Sequence, residues 1–289
     1  MVALPVVGFR GPLPPPSRTR ALPVGGGAAA KAGATDLERS DVADPAAVDA
    51  LVAYASSVLP RLDVWINNAG TIGGTRAPLT ALAPDEVVTC VATNLTGSLL
   101  ATRAAALAMG AQSPPGGLIY LMEGAGSAGG ATAGYAAYGA TKRALPQLAA
   151  SVAKELAAGA AAGEPLAGVR VALLSPGMVL TPLLLRGSTV PFRRFFNLLA
   201  EEPPTVAAAL VPRVRAAALG GAGLRSRAGR APAVRFLGGA AAVAQLVWGG
   251  VLGVRRGRFF DADGRRVLRD GDTPDDFDEL GVRVERLSK

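Results

Sequence analysis

Tyr138 and Lys142 stand four residues apart in YGATKRAL, a spacing that projects both side chains from one face of a helix. An ammonium beside a phenol favours the phenolate, so the pair is expected to bring the tyrosine pKa down toward neutrality. A tyrosine tuned in this way can give its proton to a carbonyl oxygen while hydride arrives at the carbon. Alone the pair is a weak signal, because Tyr-x-x-x-Lys arises by chance in many helices. Tyr135, three residues upstream, has Gly139 where its lysine would stand. Composition narrows the alternatives. The 289 residues include no histidine and one cysteine, Cys90. That removes Ser-His-Asp and Cys-His hydrolases, histidine-ligated metals, disulfide scaffolds and cysteine-cluster sites. Chemistry in this chain must run on Tyr, Lys, Ser, Asn, carboxylates or an organic cofactor, and no metal site is expected.

Those residues need elements to hold them. PAAVDALVAYASSVL (45–59) repeats its apolar residues at close to helical spacing behind Pro45, which predicts a helix. LDVWINNAG (62–70) predicts a buried strand opening into a turn, and 84–110 a long helix carrying Asn94. GGLIYLMEG (116–124) predicts a second buried strand, 138–156 a helix kinked at Pro146, and VRVALLSPGMV (169–179) a strand ending in a Pro-Gly turn. Alternating strands and helices with near-continuous apolar strands predict an α/β fold. The expected form is a Rossmann-like doubly wound parallel sheet with helices on both faces and ligands at the carboxyl ends of the strands.

Charge is unevenly spread along the chain. The net charge of +8 is made of +4 over 1–35, −2 over 36–202, +9 over 203–260 and −3 over 261–289. Residues 1–35 are rich in Pro, Gly and Ala without apolar periodicity, and read as a leader: a transit peptide or a wrongly assigned start. Residues 36–202 read as the catalytic, dinucleotide-binding domain. Residues 203–289 read as an Arg-rich extension for substrate or membrane contact. The extension holds 19 uncharged residues, 236–254, between Arg235 and Arg255. A buried or substrate-facing helix is the favoured reading of that stretch, ahead of a helix in a membrane interface or across a membrane. No nucleic-acid partner is expected, since the basic segment carries no recognisable motif. Asp270–Glu279 reads as a solvated acidic tail. Trp248 and the phenylalanine pairs at 195–196 and 259–260 read as packing residues, with stacking on a flat ring system as the alternative.

Further motifs surround the tyrosine–lysine pair. Asn67-Asn68-Ala69-Gly70 follows a strand, Asn94 sits in TNLTG, Ser175-Pro176-Gly177 ends a later strand, and Asp41-Val42 lies 26 residues before Asn67. In this order and spacing, residues 36–190 resemble the short-chain dehydrogenase/reductases. The resemblance implies a nicotinamide cofactor, with Tyr138 as the acid–base, Lys142 holding the ribose and Asn94 in a water-linked proton relay. It places Asp41 and Val42 beside the adenine, and Asn68, Ala69 and Gly70 beside the adenosine ribose and phosphates. Pro176, Gly177, Val179 and Thr181 would line the nicotinamide.

Longer strings, among them MEGAGSAGG, SPGMVLTPLLLRGST and RRGRFFDADGR, resemble the plant and algal chlorophyll b reductases of the non-yellow-colouring type. That resemblance implies NADPH, with NADH not excluded, and reduction of the ring B formyl group of chlorophyll b to hydroxymethyl, the first step of chlorophyll b breakdown. It implies a chloroplast location with peripheral thylakoid contact, and light-harvesting antenna proteins and a related reductase subunit as partners. The alternatives are a reductase of the same fold for another carbonyl, and a non-catalytic or truncated partner subunit.

Two departures from the general family stand out. The family's serine, about 13 residues before the tyrosine, falls on Ala125 by count or on Gly124 by strand alignment; the nearest hydroxyl is Ser127, a catalytic candidate for the substrate-carbonyl hydrogen bond if the glycine-rich loop folds it inward, with a solvent-facing turn serine as the alternative. The glycine-rich phosphate loop, expected on the order of 45–50 residues before Asp41-Val42, has no convincing counterpart, since Gly25-Gly26-Gly27 follows no clear strand. The first strand and helix are therefore expected to be missing or atypical.

Overall fold

A computed structural model describes residues 40–163, 166, 168–220, 224, 231–251, 253–255, 257–267 and 284–285. The leader, the triple glycine at 25–27 and the acidic run 270–279 lie outside the described residues. The chain divides into two compact units. The first takes in residues up to Leu174 together with Pro212–Val234, and the second Ser175–Val211 with Arg235 onward.

In the first unit α1 (Pro45–Val58) begins where the Asp44 carboxylate accepts the Ala46 N–H and Pro45 fills the first turn. Then come β1 (Val64–Asn67), α2 (Pro84–Val91), a π-helical turn (Ala92–Thr96), α3 (Gly97–Ala111), β2 (Gly117–Met122), α4 (Ala136–Ala161) and β3 (Val169–Ser175). β1 pairs with β2 and β2 with β3, both in parallel. With β6 (Ala233–Arg235) they form a four-stranded sheet in the order β1-β2-β3-β6. Ile119 and Leu121 share a buried cluster with Val48 and Ala55 of α1, Ala105 and Met109 of α3, and Leu145 and Ala149 of α4. Leu118 and Tyr120 point the other way along the strand and are equally buried. The sheet is thus covered on both faces, as near-continuous apolar strands require.

The second unit is built from two stretches of sequence. β4 (Met178–Val179) pairs in parallel with β5 (Ala200–Glu201). Between them lie α5 (Pro182–Leu185) and α6 (Val190–Leu199). α7 (Pro203–Ala218) runs from this stretch into the first unit's second stretch, and α8 (Gly239–Val251) and the paired β7 (Arg266–Val267) and β8 (Val284–Glu285) follow. Phe196, Phe259 and Phe260 form the unit's core with Leu180, Leu185 and Ala200, whereas Phe195 is exposed. Asn197 staples this core. Its Oδ1 accepts the N–H groups of Phe259 (2.7 Å) and Phe260 (2.9 Å), and its Nδ2 donates to the Phe260 carbonyl (2.7 Å). Asn197→Ala leaves these buried groups without partners and is expected to lower the unfolding free energy by about 3 kcal/mol; urea unfolding against the native chain checks it.

The Arg-rich stretch is partly internal. Arg255 and Arg258 both bind the carboxylate of Glu201, at 2.6 and 2.5 Å, and Arg266 binds Glu202 at 3.0 Å. Of the two forms of the favoured reading for 236–254, a buried or a substrate-facing helix, the buried one does not hold. α8 leaves Val243, Val247 and Trp248 more than half exposed, at 60%, 52% and 61%. Nearly all its side chains are Ala, Val or Leu, so no polar face exists to turn outward. Among the described residues no helix is long and apolar enough to cross a membrane.

Candidate active site

Tyr138 and Lys142 lie in the first turns of α4, directly after the loop that leaves β2. This is the carboxyl end of a parallel strand, where such sheets present ligands. Both are buried, Lys142 to 4% exposure. The Lys142 ammonium donates to the Met122 carbonyl at the end of β2 (3.0 Å) and lies 5.7 Å from the centre of the Tyr138 ring. Tyr135 packs edge-on against Tyr138 at 5.6 Å.

The electrostatics reverse the expectation for the phenol. Burial, reinforced by Tyr135 and Cys90, pushes the Tyr138 pKa up to about 12 instead of down. Burial also pulls Lys142 down to about 8. The reason is geometric: the ammonium is turned to a carbonyl, and desolvation disfavours the charged form of each group.

Asn94 occupies the π-helical turn, where the sequence reads as uninterrupted helix. Gly97 N–H reaches back five residues to the Ala92 carbonyl, and Ser98 Oγ donates to the Asn94 carbonyl (2.7 Å). This one-residue bulge, a frequent device at functional sites, accompanies a wholly buried Asn94 side chain. Its Oδ1 accepts from Thr71 N–H (2.7 Å), and its Nδ2 donates to the Thr71 carbonyl (2.8 Å) and to Thr141 Oγ1 (3.0 Å). Thr141 in turn donates to the Tyr138 carbonyl (2.7 Å). The β1 loop, the π turn and the tyrosine–lysine turn of α4 are therefore tied through one carboxamide. Asn94→Ala leaves the Thr71 N–H without its acceptor and is expected to cost roughly 2–3 kcal/mol of stability, with hydrogen exchange speeding up first at Thr71 and Gly70.

Ser127 is also buried, at 4% exposure. Its oxygen accepts the Gly124 N–H (3.0 Å), its proton goes to the Lys142 carbonyl (3.2 Å), and Arg143 donates to its own carbonyl (3.0 Å). The hydroxyl expected to serve a substrate carbonyl is here committed to the backbone, and it fastens the loop after β2 to α4.

Of the residues expected to hold a dinucleotide, Asp41, Val42, Asn68, Ala69 and Gly70 lie in the first unit beside Tyr138 and Lys142. Val42, Asn68 and Ala69 share the wall of a shallow, largely apolar cleft with Thr93 and Gly97. Asp41 is exposed and accepts the Ala43 N–H (2.9 Å), shaping the turn that presents Val42. A Cβ added to Gly70 would lie 3.5 Å from Asn94 Oδ1 and 3.6 Å from Lys142 Nζ, so its bare backbone faces the lysine. Pro176, Gly177, Val179 and Thr181 belong to the second unit. There Pro176 and Gly177 form the turn into β4, Val179 lies in β4, and Thr181 precedes α5, its hydroxyl donating weakly to the Val179 carbonyl (3.4 Å). The lining, apolar side chains edged by asparagine and glycine, has the chemistry to take the adenosine end of a dinucleotide.

Sequence reasoning overlooked Thr141 and Thr71. Thr141 lies between the tyrosine and the lysine, and a hydroxyl three residues after Tyr138 on the same helix face was the available signal. Thr71 acts through its backbone and leaves no such trace. Cys90, read as core, is indeed fully buried and packs with Tyr138 and Ile72.

Comparison with known proteins agrees with this geometry. The family model described as short chain dehydrogenase matches residues 28–188. A rice (Oryza sativa subsp. japonica) protein named probable chlorophyll(ide) b reductase NYC1, chloroplastic, is 42% identical over 229 residues, which is 78% of this chain and 40% of that one. The Arabidopsis thaliana protein named chlorophyll(ide) b reductase NOL, chloroplastic, is 38% identical over 76% of this chain and 60% of its own. The chain thus spans between two fifths and three fifths of the length of these relatives. Among solved structures, a gluconate 5-dehydrogenase from Burkholderia cenocepacia, in complex with NADP and tartrate, shares the fold. It has a TM-score of 0.53 and 24% identity over 68% of this chain and 72% of its own. The parallel sheet, the buried tyrosine–lysine turn and the family match over 28–188 agree: the chain belongs to the short chain dehydrogenase family.

Proposed function

We propose that this chain is an NADPH-dependent reductase of chlorophyll b, converting the ring B formyl group to hydroxymethyl to give 7-hydroxymethyl chlorophyll a. The observation that carries the reading is the likeness to relatives named chlorophyll(ide) b reductase, which runs over 78% and 76% of the chain and includes the buried Tyr138–Lys142–Asn94 set. A reduced nicotinamide, when bound, supplies the hydride. The chain's own residues do the rest. Tyr138, protonated across the neutral range because burial holds its pKa near 12, gives its proton to the formyl oxygen. Lys142, cationic below its pKa of about 8, is the charge nearest the phenolate left behind and would hold the cofactor ribose. Val42, with Asp41 shaping its turn, and Asn68 with Ala69 would hold the adenosine. Asn94 and Ser127 keep the turn of α4 in register with the loops on either side.

In this reading the protein works in the chloroplast on chlorophyll b drawn from light-harvesting antenna proteins, beside a related reductase subunit, and rests on the thylakoid surface. The exposed apolar side chains of α8 support surface contact. Its 13 residues span about 20 Å, short of the ~30 Å hydrocarbon core. Co-sedimentation with anionic vesicles, reduced in Trp248→Ser, is the expected result; equal sedimentation of the two proteins would remove α8 from the contact.

The test of the reaction is to incubate the protein with chlorophyll b and NADPH, and separately with small ketones. Hydroxymethyl product from chlorophyll b, formed faster than any small-ketone product, supports the proposal. Faster turnover of a small ketone assigns another carbonyl substrate. Failure to bind NADPH in a titration, with the protein folded, assigns a non-catalytic subunit.

A further inference from the structure

Gly124 stands two residues beyond β2, and its missing side chain decides where the phenol can sit. A Cβ built on it would fall 2.5 Å from Tyr138 Oη, 3.2 Å from Lys142 Cε and 3.3 Å from Lys142 Cδ. Packed carbon and oxygen atoms do not approach to 2.5 Å, so the phenol oxygen occupies space that any other residue would fill.

The loop has no slack with which to make room. The Gly124 N–H is held by Ser127 Oγ, Ser127 is bonded to the Lys142 carbonyl, and Arg143 grips the Ser127 carbonyl. At Gly126 the backbone has φ +100°, and a Cβ there would come within 2.7 Å of Gly139 Cα, so the loop already lies against the backbone of α4. A side chain at 124 must displace the phenol, because the loop is pinned at three points to the helix that carries it.

We infer that Gly124 is the positioning residue of the site: its bare Cα forms the seat of the Tyr138 phenol, and the clamp through Ser127 and Arg143 holds that seat against α4. The inference rests on the reductase reading for its kinetic consequence, but its geometric consequence is independent of it. With Ser127 directed to backbone, the Tyr138 phenol is the one hydroxyl among Gly124–Ser127 and Tyr138 that is left to polarise a substrate carbonyl. Its placement therefore governs the rate.

The experiment compares Gly124→Ala and Gly124→Ser with the native chain in two measurements. The first is steady-state reduction. Displacing the phenol by about 1 Å is expected to lower kcat about 100-fold in both variants, while KM and the NADPH dissociation constant change far less. The second is peptide mapping after treatment with N-acetylimidazole, which acetylates accessible phenols. Tyr138 is expected to be protected in the native chain and modified in both variants, while the buried Tyr120 stays protected throughout as the control for global unfolding. The serine variant discriminates further. If Gly124 marked only a lost hydroxyl, Gly124→Ser would raise the rate; a raised rate overturns the inference. So does a pair of variants with native kcat and native protection of Tyr138. If the native chain shows no turnover, the reductase reading fails, and the acetylation pattern still decides whether Gly124 seats the phenol.

Discussion

Tyr138→Phe is expected to lower turnover about a thousandfold, within the range a positioned general acid contributes, while leaving the fold intact. The substitution removes one oxygen from a ring whose edge-on packing with Tyr135 at 5.6 Å is unchanged. The oxygen sits at the bare Cα of Gly124, so its loss opens little space and strains nothing. The chain has no histidine, Ser127 holds backbone, and Lys142 is turned to the Met122 carbonyl. The variant should bind NADPH normally and unfold at the native midpoint. Near-native turnover would mean that the proton comes from solvent or from a group outside this turn.

The second large effect is expected at Lys142. Replacement by methionine keeps the length and apolar stem of the side chain but removes the ammonium. Turnover should fall about 100-fold or more, since the phenolate formed in the reaction then lies buried without a counter-charge. The pH dependence separates this role from simple packing. In the native chain the rate should be level below about pH 8 and fall above it, as the lysine, held at about 8 by burial, loses its proton. In Lys142→Met the profile should be low and flat through the same range.

Stability should move oppositely. The folded-state pKa of about 8 lies below the ordinary lysine value of 10.5, so between these pH values the unfolded chain binds more protons and stability rises with pH. The buried charge costs roughly 3 kcal/mol below that window, and the cost vanishes above it. Lys142→Met should therefore be more stable than the native chain near pH 7 and lose that advantage toward pH 10.5. Equal pH profiles for the two proteins would remove the lysine from the reaction.

The order of elements could be read from the sequence because each carries a local signal. Pro45 and Asp44 mark the start of α1, the apolar runs around Trp65, Ile119 and Val171 mark buried strands, and Asn67–Gly70 marks the turn after the first of them. The Tyr138/Lys142 pairing was legible for the same reason, since four residues on a helix settle which face they share. Other features depend on what surrounds a residue and leave no trace in spacing. The π turn at Ala92–Thr96 adds a single residue to a helix whose apolar periodicity is too coarse to register it. The rise of the Tyr138 pKa follows from depth of burial and from the direction of the Lys142 ammonium, neither of which the motif contains. Ser127 was found as the nearest hydroxyl, but its hydrogen bonds depend on how a glycine-rich loop closes on α4. α8 was expected to be buried or to face substrate because it is apolar, and hydropathy alone does not say what covers a helix. The second unit joins residues around Phe196 to residues around Phe259 through Asn197, a contact between positions more than 60 apart that no local pattern announces.

The central claim is that hydride reaches the formyl carbon at a site where Tyr138 provides the proton. The most direct measurement uses NADPH deuterated at the transferable position, with chlorophyll b as substrate and mass analysis of the product. One deuterium on the new hydroxymethyl carbon, formed by the native chain and almost absent with Tyr138→Phe, is the expected result. Unlabelled product, or equal labelled product from both proteins, would contradict it.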